Sequence, residues 1–520
     1  MGAPYSSRVV LITLLGLGSY AAAWGQTTWY VDDDALGGGV GLSWNTAFTD
    51  VQAALDVAVF GDEIRVAGGR YVPTVRSQPA DPRTETFALV EGVALRGGFA
   101  GLADPTAPDR RDLVANASIL SGDLLGNDGP AGNDENVYHV VTATALTSAA
   151  ILDGFTISGG NAHAASPNSM GGGMYVSGGA PRIENNVFLR NKGYYGGGIY
   201  LSASDAEIVA STFQGNDALV GGGVFAHQNS APSLYNCRLV GNNALYGGAV
   251  CIYGLGTAVL GNCTLVANNA YFGGAVFNYN LSSTEATNCV LWDNTWNTMD
   301  RDDTSEETLT FCDVTDGWDG QGNVAEDPSL LRAPSSGPDS VWGTSDDDYG
   351  DVHLMPGSPC IDAGSNAGVP AGVTIDCAGN ARRIDDPDAP DTGVGVAPIV
   401  DIGAYEFVDC NANGLADDID LALGTSLDCN ENHVPDACDI AGGTSLDVNG
   451  NGIPDECEGP ICVGDFNLDG RRDLSDLAHL LGHYGETGVG YEEGDLTGDG
   501  VVDVDDLAAL LAIYGVPCPT

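Results

Sequence analysis

Basic residues are scarce in this sequence. Only 18 basic side chains stand against 71 acidic ones, and Lys192 is the single lysine, so the formal net charge is -53. Proteins bind nucleic acids and anionic membranes by placing Lys and Arg against the phosphates. The composition therefore excludes nucleic acid as a default partner and favours bound cations, since a polyanion otherwise repels itself. The alternative is an acidic protein that is merely highly soluble.

Long apolar runs are also scarce. The one strong run follows Arg8 as "VVLITLLGLG" and leads into "SYAAAWGQ", the three regions of a secretory signal. We predict a signal peptide at residues 1–25, cleaved between Ala23 and Gln26. No other run approaches the about 20 residues that span a bilayer, so we expect an exported mature chain without a membrane span, extracellular or at the cell surface. Thirteen cysteines then permit up to six disulfides, whose pairing the sequence leaves open.

A glycine-marked motif recurs in the middle of the chain. The strings "GGGMY", "GGGIY", "GGGVF", "GGAVC" and "GGAVF" follow one another at intervals of 25, 25, 26 and 26 residues, starting at Gly171. A second motif ending in asparagine keeps step, from "FLRN" at Phe188 to "LWDN" at Leu291. Short apolar-alternating runs at a constant period predict a parallel β-solenoid, an all-β fold in which each coil pairs with the next.

Stacked coils place equivalent residues above one another. We predict an inward aliphatic ladder, a ladder of turn asparagines that hydrogen-bond from coil to coil, and a buried ladder of unpaired thiols. Their members are Met174, Ile199, Val224, Val250 and Val276; Asn191, Asn216, Asn242, Asn268 and Asn294; and Cys237, Cys263 and Cys289. The glycines supply the positive-φ corners between strands.

An aromatic residue often follows the aliphatic ladder. Tyr175, Tyr200, Phe225 and Phe277 occupy this position and should point outward. An exposed aromatic strip can stack on sugar rings. The alternative is that a loop or a flanking segment covers it.

Residues 150–295 resemble the right-handed parallel β-helix proteins of the pectin-lyase-like superfamily, and their paired motifs also look like the repeats of bacterial polymorphic outer-membrane adhesins. Residues 26–149, with "WYVDDDA" and "GDEIRVAGGRYVPT", look like the cap and first coils of such proteins. A short amphipathic helix is predicted to plug the open end, with its apolar face formed by Val51, Ala54, Leu55, Ala58 and Val59.

Residues 296–407 carry "SPCIDAGS" at 358 and "DIGAYE" at 401. They resemble the module called choice-of-anchor Q that follows such helices in surface proteins. We interpret them as the last irregular coils, in which Asp362, Asp401 and Glu406 have structural rather than catalytic roles.

Many β-helix relatives cleave acidic polysaccharides, so an active site must be considered. Such chemistry needs converging carboxylates, or a Lys or Arg base beside a cation-binding cluster. The one plausible carboxylate group on the regular coils is Asp205, Glu207 and Asp217, and a solvated surface cluster explains it equally well. His163 and His227 show no ligand spacing and are predicted to be loop residues.

Beyond Phe407 three loops recur with a period of 19 residues. Each has acid or amide side chains at positions 1, 3, 5, 9 and 12, the oxygen-ligand spacing of a calcium loop. They resemble thrombospondin type 3 repeats (residues 408–459), stapled by Cys410, Cys429, Cys438 and Cys457; a loose polar linker is the alternative. The predicted Ca²⁺ ligands are Asp409, Asn411, Asn413, Asp417 and Asp420; Asp428, Asn430, Asn432, Asp436 and Asp439; and Asp447, Asn449, Asn451, Asp455 and Glu458. Position 6 of such a loop requires glycine for its sharp turn, but the middle loop has His433 there, which predicts that it binds Ca²⁺ more weakly.

Two further loops, 30 residues apart, follow the same rule and each precedes an amphipathic helix. A half-hand pair of this kind, at residues 460–520, resembles a dockerin, which implies docking to a cohesin-like receptor. The predicted ligands are Asp465, Asn467, Asp469, the Arg471 carbonyl, Asp473 and Asp476; and Asp495, Thr497, Asp499, the Val501 carbonyl, Asp503 and Asp506. The predicted apolar helix faces are Leu477, Leu480, Leu481 and Tyr484, and Leu507, Leu510, Leu511 and Tyr514. Cys462 and Cys518 flank the module and are placed to clasp its ends.

Three functions follow from these modules. The first is a non-enzymatic surface component that binds a polysaccharide or cell-surface glycan. The second is a polysaccharide lyase or glycoside hydrolase displayed through the dockerin-like end, and the third is a structural matrix element. An uncovered aromatic ladder favours the first, whereas acids lining a groove favour the second.

Overall fold

The computed structural model describes residues 26–128, 132–166, 168–411, 413–430, 434–447, 452–457, 462–467, 469–497 and 499–516. The predicted signal peptide lies outside them. Short parallel strands form the body, and each pairs in register with the strand one repeat later. Met174 pairs with Ile199 and Ile199 with Val224, so the predicted parallel β-solenoid is confirmed.

Four parallel sheets run along the solenoid, and we number them 1 to 4. Starting from the strand after the glycine corner, one coil contributes a strand to sheet 4, then to sheets 1, 2 and 3. Sheet 1 contains Thr28–Val31, Glu63–Ala67, Ala94–Phe99, Ile151–Asp153, Arg182–Glu184, Glu207–Val209, Ser233–Tyr235, Thr257–Gly261, Ser283–Thr287 and Glu306–Thr310. Sheet 2 contains Gly69–Tyr71, Ser118–Ser121, Phe155–Ser158, Val187–Leu189, Thr212–Gln214, Arg238–Val240, Thr264–Val266, Val290–Trp292 and Asp313–Val314.

The other two sheets meet at the glycine corners. Sheet 3 contains Asn161–Ala162, Lys192–Tyr195, Asp217–Val220, Asn243–Tyr246 and Asn269–Phe272. Sheet 4 contains Phe87–Ala88, Val141–Leu146, Met174–Gly179, Ile199–Ser204, Val224–His227, Val250–Tyr253, Val276–Tyr279 and Met299–Arg301. At the corner, Gly221 has φ +66°, and a Cβ there would lie 2.6 Å from the Val224 carbonyl oxygen, so the backbone requires glycine.

The interior confirms the three predicted ladders. The aliphatic residues are fully buried, and so are the unpaired thiols of Cys237, Cys263 and Cys289, which Cys312 extends. The buried asparagine amides bond from coil to coil, as where Asn242 Nδ2 donates to Asn268 Oδ1 at 2.9 Å. The asparagine ladder thus provides hydrogen-bond partners for buried backbone and amide groups at a corner that water does not reach.

A helix covers the N-terminal end of the solenoid. Helix α1, Val51–Leu55, begins at Asp50, whose side chain accepts the Gln52 N–H, and its apolar side joins the main core. The predicted plug is therefore present. Val59 was expected on the same face but lies beyond the helix and is 52% exposed.

The segment expected to hold the last irregular coils divides into two parts. Residues 299–314 form the last regular coil, and a single parallel bridge joins Asp313 to Val324. Most of the residues from 325 to 407 pack differently. They fold around an antiparallel pair, Leu330–Arg332 with Asp351–Leu354, and pack on the outer side of sheet 2, where Cys360 and Ile402 join the core of Val290. Outward apolar residues on sheet 2 explain this, since an uncovered sheet face would expose them to water.

In the described parts of the chain beyond residue 407, there are four short α-helices. They are α2 (Asp417–Leu423), α3 (Asp436–Gly442), α4 (Leu474–Gly482) and α5 (Val504–Ile513). The remaining turns are 3₁₀ helices at Trp44–Thr46, Pro82–Thr84, Gly101–Ala103, Asn366–Gly368, Asp455–Cys457 and Tyr491–Glu493. Among the described residues, no helix has the length and apolar character needed to cross a bilayer.

Candidate functional site

The outer side of sheet 4 carries two aligned rows of side chains. The inner row is the predicted aromatic strip, with Cys251 in the fourth coil: Tyr175, Tyr200, Phe225, Cys251 and Phe277. The outer row, two residues further along each strand, ends in His227, Tyr253 and Tyr279. The strip points outward, as predicted.

A third row stands on sheet 3, across the glycine corner. Tyr195, Val220, Tyr246 and Phe272 are aligned there and lean over the inner row. Rings contact one another from coil to coil. Tyr175 stacks on Tyr200 and Tyr253 on Tyr279, with centroids 5.5 and 5.4 Å apart, whereas Tyr200 and Phe225 are tilted at 5.6 Å. Three rows of rings thus form a floor, a wall and a rim, which we call the aromatic cleft.

The aromatic cleft encloses about 500 Å³. Its floor is nearly buried, since Tyr200 is 5% exposed, but Tyr195 on the wall and Tyr279 on the rim are 40% and 43% exposed. Neighbouring rings cover the floor, rather than the loop or flanking segment considered from the sequence. The wall was missed, although each of its residues directly precedes the repeated glycines, a signal that was available.

Electrically the aromatic cleft is neutral. Its one titratable base is His227, whose pKa burial lowers from the usual value, and burial raises the pKa of the Tyr200 hydroxyl. Both groups are therefore uncharged at neutral pH, and no carboxylate is among the residues that line the cleft. His227, predicted to be a loop residue, lies at the end of Val224–His227, with Nδ1 3.4 Å from the Tyr200 hydroxyl.

The proposed carboxylate group does not converge on one face. Asp205 lies at a corner outside the strands and accepts the Ala231 N–H, instead of alternating with Glu207 on one strand. Glu207 lies on sheet 1 and pairs with Arg182 at 2.7 Å. Asp217 is the first residue of a strand of sheet 3, and sheet 2 separates it from Glu207 along the coil. The Asp217 carboxylate accepts a hydrogen bond from the Asn243 side chain.

The first C-terminal loop gathers its predicted ligands. Asp409 accepts the N–H groups of Asn413 and Gly414, and the Asn411 and Asn413 side chains meet the Asp420 carboxylate at 2.9 and 2.6 Å. Asp420 is fully buried. Burial and the neighbouring Asp409 and Asp420 raise the pKa of Asp417 to about 6. Ca²⁺ prefers carboxylate and amide oxygens as ligands, and this loop holds predicted ligand side chains of both kinds close together.

The second and third loops repeat this arrangement in their described parts. The Asn430 amide meets Asp439, and Asp436 accepts the Cys429 N–H as Asp417 accepts that of Cys410. Asp447 accepts the Gly452 N–H. Asp428 and Asp455 lie within the described residues, whereas Asn432, His433, Asn449, Asn451 and Glu458 lie outside them.

Two disulfides join these loops in a chain. Cys410 bonds to Cys438 and Cys429 to Cys457, each across 28 residues. Each therefore links one loop to the next, a pairing that the sequence left open. The predicted clasp of Cys462 involves Cys518, which lies outside the described residues.

The paired half-hand loops are alike in detail. Asp465 accepts the Gly470 N–H at 2.8 Å, and Asp495 accepts that of Gly500 at 2.7 Å. The position-12 carboxylates are fully buried; Asp476 accepts the Phe466 and Asp473 N–H groups. Remaining predicted side-chain ligands line the same turns: Asn467 and Asp469 in the first loop, and Thr497, Asp499, Asp503 and Asp506 in the second.

The helices that follow these loops pack on each other through part of their predicted faces. Leu480 and Leu510 are fully buried and Leu477 and Leu507 partly so. The other face residues point away and are exposed: Leu481, Tyr484, Leu511 and Tyr514. The predicted single face is therefore divided into a buried half and an exposed half on each helix.

Comparisons with known proteins give one family match and several similar folds. The family described as right-handed β-helix region matches residues 143–301, which supports the predicted handedness. Among solved structures, the chain is similar to the crystal structure of pectate lyase Pel9A, with 12% identity, a TM-score of 0.36 and coverage of 73% of this chain and 96% of that one.

Two further solved structures are less similar. They are rhamnogalacturonan lyase (12% identity, TM-score 0.27, 59% of this chain and 90% of that one) and the complex structure of XylC with xylose (10%, 0.25, 63% and 73%). Likenesses at this level say nothing of activity. Among curated proteins, none matches the chain significantly.

Proposed function

We propose that the protein is an exported, non-catalytic, calcium-binding surface component whose β-helix binds a neutral glycan in the aromatic cleft. The observation that carries this proposal is the cleft itself, an open groove of stacked rings that no carboxylate lines. Sugar rings present apolar C–H faces that pack on aromatic rings, while their hydroxyls remain in water or bond to polar groups at the rim.

The direction of the rows favours a chain-like ligand. Coils of a solenoid repeat at about 4.8 Å, and the rows of rings follow that repeat along the axis. An extended polysaccharide advances by a similar distance per sugar, so successive sugars would meet successive coils. The hydroxyls of Tyr253 and Tyr279 and the imidazole of His227 supply hydrogen-bonding groups along one rim.

Charge favours a neutral ligand over a uronate. The chain has a formal net charge of -53, and the aromatic cleft contains no Arg or Lys to pair with a sugar carboxylate. An acidic polymer would therefore be repelled by the protein and find no counter-charge in the cleft. The same lack of a basic residue and of acids disfavours lyase or hydrolase chemistry at this groove.

The C-terminal modules complete the proposal. Their buried carboxylates would bind Ca²⁺, which would fold and stiffen the loops. The exposed half-faces of α4 and α5 form a duplicated apolar surface that a cohesin-like receptor would cover, because Leu481 and Leu511 are 50% and 53% exposed. The two disulfides support an oxidising, extracellular location.

Affinity electrophoresis or calorimetry with soluble neutral polysaccharides, such as β-glucan, xyloglucan and galactomannan, tests the binding site. Polygalacturonate serves as the charged counterpart. The variant Tyr195→Ala/Tyr279→Ala removes one exposed ring from each side of the aromatic cleft. Each stacking ring contributes about 0.5–1.5 kcal/mol, so we expect the double variant to bind at least about fivefold more weakly.

Tyr271→Ala is the matched control, since its ring is 55% exposed but does not line the cleft. Equal affinity of the double variant and this control would remove the cleft as the binding site. Release of unsaturated or reducing ends by the wild-type chain would show that the body is an enzyme. Failure to bind any neutral polysaccharide would contradict the glycan assignment.

A further inference from the structure

The segment that covers sheet 2 brings together three carboxylates from distant positions. Asp362 lies on the strip that packs on the β-helix, and Asp385 and Asp391 lie at the two ends of a short surface loop. Their carboxylates each have an oxygen within 4.8 Å of the others. Asp385 and Asp391 are exposed, whereas Asp362 is 0% exposed.

The buried carboxylate lacks the partners that its position requires. One oxygen of Asp362 accepts the Asp386 N–H at 3.2 Å, but the other, Oδ1, is buried and has no hydrogen-bond partner. Leaving a carboxylate oxygen buried without a partner is costly, and native structures rarely do so. Asp362 is therefore both the one buried carboxylate of the cluster and the one with an unpartnered oxygen.

Within the described residues, no basic side chain forms an ion pair with Asp362, Asp385 or Asp391. The two nearby arginines contact other groups. Arg382 pairs with Glu406 at 3.3 Å, and Arg383 donates to the Asn366 carbonyl at 3.3 Å. Burial and the charges of Asp385, Asp391 and Asp386 raise the pKa of Asp362 to about 6, which shows how strongly the site disfavours a further negative charge.

We propose that Asp362, Asp385 and Asp391 bind one divalent cation, Ca²⁺, at a site separate from the C-terminal loops. A cation between the three would pair with the orphaned oxygen and relieve the repulsion among the acids. Calcium is favoured because every donor is a carboxylate oxygen and two of the three are open to water, which completes its six to eight ligands. Zinc prefers nitrogen and sulfur donors, of which the cluster has none.

The bound ion would fasten the surface loop to the β-helix. The Asp362 carbonyl already accepts the Thr392 and Gly393 N–H groups, both at 3.0 Å, and its own N–H donates to Asp401. These bonds hold the C-terminal end of the loop, and the bond from the Asp386 N–H to the Asp362 carboxylate holds its N-terminal end. Calcium would add a side-chain ligand at each end, Asp385 and Asp391, so opening the loop would require release of the ion.

Calcium-dependent protection of this loop tests the proposal in the full-length chain. Wild type and Asp385→Asn/Asp391→Asn are first freed of calcium by passage over a chelating resin. They are then digested with an Asp-specific protease, Asp-N, with or without added Ca²⁺ and without any soluble chelator, so that the protease keeps its zinc. Mass spectrometry reports cleavage at Asp386 and Asp388, the sites in the loop that both chains keep. At a calcium concentration about 100 times the dissociation constant, we expect cleavage of the wild-type loop to slow about 100-fold. The double variant should show no calcium effect there and should bind one Ca²⁺ fewer per chain by equilibrium dialysis.

Asp388→Asn is the matched control, because Asp388 lies in the same loop but outside the cluster. It should keep the calcium-dependent protection at the remaining sites and the full number of ions. Cleavage of the wild-type loop that calcium does not change, or an unchanged ion count in the double variant, would overturn the proposal. Cleavage is read within residues 385–391 alone, and the ion count is the difference between two chains with identical C-terminal loops. Neither readout therefore depends on the aromatic cleft or on how many ions the C-terminal loops bind.

Discussion

The asparagine ladder offers a sharp test of how the coils are held together. Asn242 lies at its centre, and we consider the variant Asn242→Ala. Its amide donates to the Phe213 carbonyl and to Asn268 Oδ1, both at 2.9 Å, and its oxygen accepts from the N–H and side chain of Asn216 at 3.1 and 2.9 Å. All of these groups are buried.

The variant removes the only side chain that serves the Asn216 N–H and also leaves the Phe213 carbonyl with one bond fewer. A buried polar group left unsatisfied costs about 1–3 kcal/mol, and the Asn216 N–H becomes such a group. The lost bond at the Phe213 carbonyl and the small cavity left by the amide add to this cost. We therefore expect the free energy of unfolding to fall by about 2 kcal/mol or more.

The next residue provides the control. Asn243 also bonds along the solenoid, donating to Asp217 at 2.6 Å, but it is only partly buried, so water can replace the lost bond. Asn243→Ala should cost about 1 kcal/mol or less. Equilibrium unfolding in guanidinium chloride, with calcium held constant, measures both variants. Equal costs for Asn242→Ala and Asn243→Ala would refute the argument that burial makes this ladder important.

Two further outcomes are expected. Removing calcium with EGTA should make residues 409–516 sensitive to a protease of broad specificity such as proteinase K, while the β-helix stays resistant. Identical digestion with and without calcium would contradict the predicted calcium loops. Burial alone would lower the pKa of His353, but the carboxylates of Asp351 and Asp418, at 2.5 and 2.7 Å, raise it to about 9. Because the pKa is raised in the folded state, the ion pairs contribute their full stabilisation below the usual value near 6.5, and this stabilisation is lost as pH rises through about 9. His353→Gln should therefore lower the free energy of unfolding by up to about 3 kcal/mol near pH 6 and by little near pH 10. Thermal unfolding between these pH values measures the loss, with the exposed His163→Gln as control; a pH-independent difference would count against the ion pairs.

Much of the body was predictable because a solenoid repeats its environment. Met174, Ile199 and Val224 stand at equal steps in the sequence, and equal steps become vertical neighbours once coils pair in register. The asparagine and thiol ladders follow from the same rule, as does the outward direction of Tyr200 and Phe225, since side chains alternate along a strand. The loop spacing likewise predicted that the start of the first calcium-like loop would approach its end, and Asn411 and Asn413 do contact Asp420.

The positions of the acidic residues, of residues 315–407 and of the exposed helix faces were not predictable, because they depend on contacts between segments that are not a whole number of repeats apart. The carboxylates of Asp205, Glu207 and Asp217 are close in sequence, yet the corners of the coil carry them to different sides of the solenoid. Residues 315–407 show no repeat, so only their packing on sheet 2 shows that they cover a face instead of extending the coils. On α4, the direction of Leu481 was set by where α5 packs, which a helical period alone does not reveal.

The sequence by itself determined the repeating body, its buried ladders and the spacing of oxygen donors in the C-terminal loops, because each depends on residues a constant number of positions apart. Only the tertiary structure decided that two sheets meet to make a cleft between aromatic rows, that Cys410 pairs with Cys438, and that Asp362 meets Asp385 and Asp391. Those features depend on the angle at a corner and on how a non-repeating segment packs, and both are set by the summed contacts of the whole fold.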